Sequence, residues 1–136
     1  MSNLTEFLER HRASDIYSRC GLKLLSHGNG LAEMECPVAG INLNVNGDLH
    51  GGILALLVDE VGTVALASAD REGRPGVTTD LSVAYLNPGR PPRVIAKARA
   101  LKVGRLLGVV QVDIFGDDGK PVGSGRMTKF MDTPKR

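Results

Sequence analysis

The sequence predicts an α+β domain in which one long helix lies on a single antiparallel sheet. Three observations support that reading. From Ile53 to Ala69 almost every residue is apolar or small, so about 51–69 reads as one helix buried nearly all round. Four later segments alternate apolar and polar residues with the period of two that a half-buried strand requires. Between the last two, "GDDGK" is an Asp-Gly hairpin signal. A chain of 136 residues is long enough to bury one core of its own, so residues 1–136 are read as a single domain.

Taken in order, residues 3–12 form a short helix capped by Asn3, with Leu4, Phe7 and Leu8 on one face. A weak strand follows over Cys20 to Leu25, and "HGNG" (27–30) supplies a turn. In "GLAEMECPV", Ala32, Met34, Cys36 and Val38 alternate with Glu33 and Glu35. After the long helix, strand 76–86 sets Val77, Leu81, Val83 and Tyr85 on one face and Thr78, Asp80 and Ser82 on the other. "NPGRPP" (87–92) is a loop, and strand 93–103 alternates Val94, Ala96, Ala98 and Ala100 with Arg93, Lys97 and Arg99. Strands 106–115 and 122–131 flank the hairpin turn. One helix cannot cover both faces of such a sheet, so an oligomer is expected.

Composition narrows the function. Hydrophobic residues at 42% indicate a globular chain, and a net charge of +2 makes no field that calls for DNA or an anionic membrane. With three Phe, two Tyr and no Trp there is little to stack bases on, so no nucleic-acid partner is expected. Cys20 and Cys36 make no CxxC; each is expected on the apolar side of a strand, as a small hydrophobe rather than a disulfide or metal ligand. The charged, helix-like start is not expected to be a signal peptide, and no apolar run is expected to reach the roughly 20 residues of a membrane span. A cytoplasmic chain with no membrane partner is the expectation.

Two oddities point to chemistry. In "NVNGDLHGGILALLVDE" (44–60), His50 stands immediately before Gly51 and Gly52, where the helix begins. A helix N-terminus offers unpaired N–H groups and a positive dipole end, and with Asn44 and His50 it could form an oxyanion hole. The plain alternative stays open: "NGD" is a good turn anywhere, and a lone His is commonly structural. The second oddity is Asp59, a carboxylate in an apolar helix with Ala55, Gly62, Thr63 and Leu66 around it. Unpartnered burial would be costly, so Asp59 should be hydrogen-bonded or face a cleft, while Glu60 reads as the solvated edge of the helix. Eight residues separate Gly51 from Asp59, about 12 Å along a helix. A base and an oxyanion donor must both lie within about 3 Å of one reacting group. Two chains packed antiparallel through their helices would meet that requirement, so sites composed across a dimer interface are expected.

"NVNGDLHGGILALLVDEVGTVAL", then "GVTTDLSVAYLNPGR" and a closing "GSGRMTKF", resembles the PaaI-like hotdog thioesterases over roughly residues 15–131. The resemblance implies a curved antiparallel sheet of about five to six strands wrapped around one helix, in dimers that pair into homotetramers. It implies hydrolysis of acyl- or aryl-CoA thioesters, with Asp59 as nucleophile or general base, Gly51 N–H polarising the carbonyl, and His50 and Asn44 orienting it or the water. Thr78 stands where many relatives carry a water-placing Ser. Ser82, Lys102, Gly104, Arg105 and Lys129 are the implied CoA-holding residues. No metal or separate cofactor is expected, because a thioester is already activated and CoA is part of the substrate. Two rivals share the fold: a dehydratase with His50 as its base, and a non-catalytic acyl-CoA sensor.

Overall fold

The computed structural model describes residues 3–132. Helices α1 (Asn3–Arg12) and α2 (Asp15–Cys20) lead into strands β1 (Lys23–Gly28) and β2 (Leu31–Pro37). A 3₁₀ turn (Gly40–Asn42) precedes the long helix α3 (Gly51–Ala69). Strands β3 (Val77–Tyr85), β4 (Arg93–Val103), β5 (Leu107–Gly116) and β6 (Pro121–Phe130) complete the fold. The six strands form one antiparallel sheet in the order β1-β2-β4-β5-β6-β3. It curves around α3, which touches every strand, as the resemblance implies.

The helix buries Leu54, Leu57, Val58, Val61, Val64, Ala65 and Leu66 against Met34 of β2, the alanines of β4, and Val110, Val112 and Met127 of β5 and β6. Its close approach depends on residues without side chains. A Cβ at Gly125 would sit 2.7 Å from Val58 Cγ2 and 3.1 Å from the Ser82 carbonyl oxygen, and one at Gly108 would sit 2.6 Å from Leu66 Cδ2. By length and composition α3 could cross a membrane, which corrects the expectation that no apolar run is long enough; here the sheet covers most of it.

Three local readings are also corrected. Cys20, expected to open a strand, instead ends the helix α2, and the strand begins only at Lys23. Ser14 Oγ accepts the Tyr17 N–H at the N-terminus of α2, and Gly21, at φ 68°, closes its C-terminus by donating to the Ser18 carbonyl. Cys20 is therefore helical; it and Cys36 are free and buried, and burial pushes the Cys36 thiol up to about 12. Second, a bulge between Thr78 and Asp80 puts the two ends of β3 out of phase. Thr78 thereby turns to the helix side with Leu81 and Val83, instead of sharing a face with Asp80 and Ser82. Third, Glu60 is no solvated edge: its side chain is 13% exposed and lies against His11.

Past α3, Arg74 is a clasp. Its Nε and Nη2 donate to the Asp70 carboxylate (3.0 and 2.8 Å), and Nη1 donates to the carbonyls of Arg105 and Met131 (3.1 and 3.3 Å). The helix end is thereby tied to the β4–β5 loop and to the end of β6. Burial alone would raise the Asp70 pKa, but the bonds from Arg74 and from the Glu72 N–H hold it below 3.8.

Gly125→Ala is expected to cost about 1–3 kcal/mol in urea unfolding, because Val58, β-branched on a helix, has no free rotamer to retreat into. Asp70→Asn should be less stable than wild type by about 1–3 kcal/mol at neutral pH. A depressed carboxylate pKa stabilises above the unfolded value and is lost as pH falls through the native one. The difference between the two proteins should therefore close as unfolding is repeated at pH values below 3.8.

Candidate active site

The start of α3 is built by short-range bonds. His50 is the N-cap, and its Nδ1 accepts the Gly52 N–H at 2.9 Å, so that nitrogen carries no proton. Its own N–H donates to the carbonyl of Asn42 (2.8 Å). Asn42 is 1% exposed, and its Nδ2 donates to the carbonyls of Cys20 and Pro37, both at 2.8 Å. This asparagine thus pins α2, β2 and the helix start together. Tyr85 donates its hydroxyl to the Gly51 carbonyl at 2.9 Å. The His50 carbonyl takes the N–H groups of Ile53 and Leu54, and His50 Nδ1 takes that of Gly52. The Gly51 N–H is left as the first-turn donor without a partner in these bonds. Asn44 is spent on the loop: its Oδ1 accepts the N–H groups of Asn46 and Asp48 (2.9 and 3.1 Å).

Two helical turns on, a second cluster surrounds Asp59. Thr78 Oγ1 donates to Asp59 Oδ1 at 2.8 Å, a contact the β3 bulge makes possible. Thr63 Oγ1 donates to the Asp59 carbonyl and accepts from Lys129 Nζ, each at 2.6 Å. These residues line a cavity of about 530 Å³ whose far wall is α1, through Phe7, Arg10 and His11. His11 Nε2 pairs with Glu60 Oε2, and its ring lies 4.4 Å from Phe7 and 6.2 Å from Tyr17, centre to centre. Lys129 is 3% exposed. Burial pushes its ammonium down from 10.5 to about 8, although Asp59 and Glu60 pull the other way.

The structure brings Asp59, Thr78 and Lys129 to one cavity, and none of Asn44, His50 or Gly51 lines it. The remaining candidates lie elsewhere. Ser82 is exposed on β3 opposite Arg126; Lys102 and Arg105 are exposed around Gly104 at the β4–β5 turn, where Gly104 N–H donates to the Leu107 carbonyl at 2.8 Å. Lys129 is set apart from that surface group by its burial. Sequence reading missed His11, Glu60 and Lys129 as cavity groups, yet a signal existed for two. His11 continues the apolar face of Leu4, Phe7 and Leu8 at helical spacing, and Lys129 alternates in phase with buried Met127 and Met131. Among the described residues no group of three His, Cys, Asp or Glu is placed to hold a metal ion.

Comparison with known proteins follows the same lines. The Thioesterase superfamily matches residues 46–122, from the loop before α3 into β6. Human acyl-coenzyme A thioesterase 13 is 35% identical over 112 residues, covering 81% of this chain and 79% of the relative. The crystal structure of zebra fish Thioesterase Superfamily Member 2 is similar at a TM-score of 0.84 and 30% identity, covering 96% of this chain and 99% of the other. A hypothetical thioesterase from Streptococcus pneumoniae, solved with coenzyme A, is similar at a TM-score of 0.76 and 27% identity, covering 85% and 88% of the two chains. By its family match and by these identities, the chain belongs to the thioesterase superfamily and is a hotdog-fold thioester hydrolase.

Proposed function

We propose that the chain hydrolyses acyl- or aryl-CoA thioesters to the free acid and CoA, with Asp59 as nucleophile or general base. The observation that supports this most directly is the hydrogen bond from Thr78 Oγ1 to Asp59 Oδ1 at the cavity wall. It holds the carboxylate by one oxygen and leaves Oδ2 for chemistry. In the water route, Asp59 takes a proton as the water oxygen bonds to the carbonyl carbon. The oxyanion is held by a backbone N–H; the C–S bond then breaks and the CoA sulfur leaves with that proton. In the nucleophile route Asp59 attacks first and water cleaves the resulting anhydride, with the same products. Neither route requires a metal or a separate cofactor.

The oxyanion donor in this reading is Gly51 of the partner subunit. Within one chain, Gly51 is about 12 Å along the helix from Asp59 and does not line its cavity. The unpaired edge strand β3 carries exposed Val77 at its cavity end and exposed Tyr85 at the helix start, with exposed Leu86 just beyond, apolar surface that a second copy would cover. Leu107 and Phe130, paired on the outer face of the sheet, offer a second surface for joining dimers into a homotetramer. Ser82, Lys102, Gly104 and Arg105 would then hold the CoA moiety, and His50 and Asn44 would shape the oxyanion end. The coenzyme A in the pneumococcal structure supports a CoA ester as the substrate here. A cytoplasmic location is retained on the strength of two free, buried cysteines.

The decisive test is thiol release from a panel of aryl- and acyl-CoA esters. Asp59→Ala should stay folded and oligomeric with turnover down by about a thousandfold or more; equal activity in both proteins would reject Asp59. Mixing Asp59→Ala with Gly51→Pro subunits tests the composite site, since proline is tolerated at a first helical position but has no N–H. A two-fold dimer made of one of each keeps one intact site, so reassembled mixtures should recover about a quarter of wild-type activity. No recovery from two folded, co-assembled variants would place both groups in one chain.

A further inference from the structure

Lys129 Nζ and Asp59 Oδ2 face the same cavity without meeting. The ammonium donates to Thr63 Oγ1 at 2.6 Å, and among the described residues it forms no ion pair with a carboxylate. An ammonium has three N–H donors, so two remain. Asp59 Oδ1 is taken by Thr78, and Oδ2 accepts no side-chain donor among the described residues. A side chain 3% exposed is poorly placed to neutralise a phosphate at the surface. Retaining a buried cation is costly unless it serves the charges around it.

We propose that Lys129 is a positioning residue for the hydrolytic water, donating to the water oxygen while Asp59 Oδ2 accepts one of its protons. This rests on the thioesterase reading of the same site. Three of the water's four hydrogen-bonding directions then have an assignment: one lone pair faces Lys129, one O–H faces Asp59, and the other lone pair is aimed at the carbonyl carbon. The O–H bond to Asp59 breaks as the O–C bond forms. The C–S bond then breaks, the proton leaves with the CoA sulfur, and Lys129 keeps its own proton throughout. Thr63 fixes the ammonium because its hydroxyl hydrogen is committed to the Asp59 carbonyl, leaving its lone pairs to Lys129.

The charged and titratable groups that share the cavity with Lys129 are Asp59 and Glu60 from α3, with Arg10 and His11 from α1 across it. Its strand neighbours in register, Thr78 on β3 and Gly108 on β5, carry no charge. As pH passes about 8 the amine becomes neutral and holds the water more weakly, so kcat should fall.

The test is kcat and KM against pH for wild type, Lys129→Met and Lys129→Gln, with the best CoA ester of the panel. Lys129→Met should lower kcat by about tenfold to a hundredfold, leave KM within about twofold, and lose the decline near pH 8. Lys129→Gln, which keeps a donor without a charge, should be flat in pH as well, and it serves if the methionine variant fails to fold. A rise in KM with kcat kept would make Lys129 a CoA-holding residue and overturn the proposal, as would an alkaline decline that persists in either variant. Wild type inactive on every ester would instead sink the thioesterase reading itself, a separate result.

Discussion

A helix of 19 residues that is apolar on nearly every side can be kept from water only by a surface that curves around it. The strands supply that surface, and the fit is tight where Gly108 and Gly125 let the side chains of Leu66 and Val58 rest against the backbone. Everything chemical in the chain is placed by this wrapping. The N-terminus of α3 emerges where the sheet ends at Tyr85, and Asp59 emerges where the bulged start of β3 leaves a gap that α1 covers. The cost of enclosing carboxylates in such a helix is met locally, by the Thr78 hydroxyl, by His11 and by the charge of Lys129.

The start of α3 and its middle differ in kind. At its start the polarity is that of the backbone, which bonds with His50, Asn42 and Tyr85 hold in place. Further along, side chains do the work, and titratable groups of both signs share one cavity. Phe7, Pro75 and Val77 give the same cavity an apolar side. A single protomer therefore presents two separate polar clusters, kept apart by the stiffness of the helix.

The parts of the fold that depend on period alone were legible in the sequence. The long helix, the β4 to β6 strands and the hairpin between the last two follow directly from runs of apolar residues and from "GDDGK". Asp59 stood out because a carboxylate in an apolar helix conflicts with burial, and that conflict marks the cavity. What escaped was decided by one residue or by tertiary contact. Ser14 and Gly21 make a helix of six residues that has no room for a periodic signal. One extra residue in β3 reverses the direction of Thr78, which no alternation rule anticipates. Glu60 was read as solvated because nothing on α3 itself announces that α1 will lie over it. Lys129 enters the sequence reading only through the resemblance, as a CoA-holding residue, while its phase with Met127 and Met131 is the better guide to its burial.

The bulge at the start of β3 also separates two histories within a single strand. From Leu81 onward the strand obeys the packing of the helix, and before Asp80 it obeys the cavity. Removing one residue between Thr78 and Asp80 would leave Leu81 and Val83 in their places and point the hydroxyl of Thr78 to solvent. The core would lose only the contact of Thr78 Oγ1 with Met127 Sδ, while Asp59 would lose its hydroxyl donor. A change of length at this point would therefore be felt at the Asp59 carboxylate before it reached the packing of Leu81 and Val83.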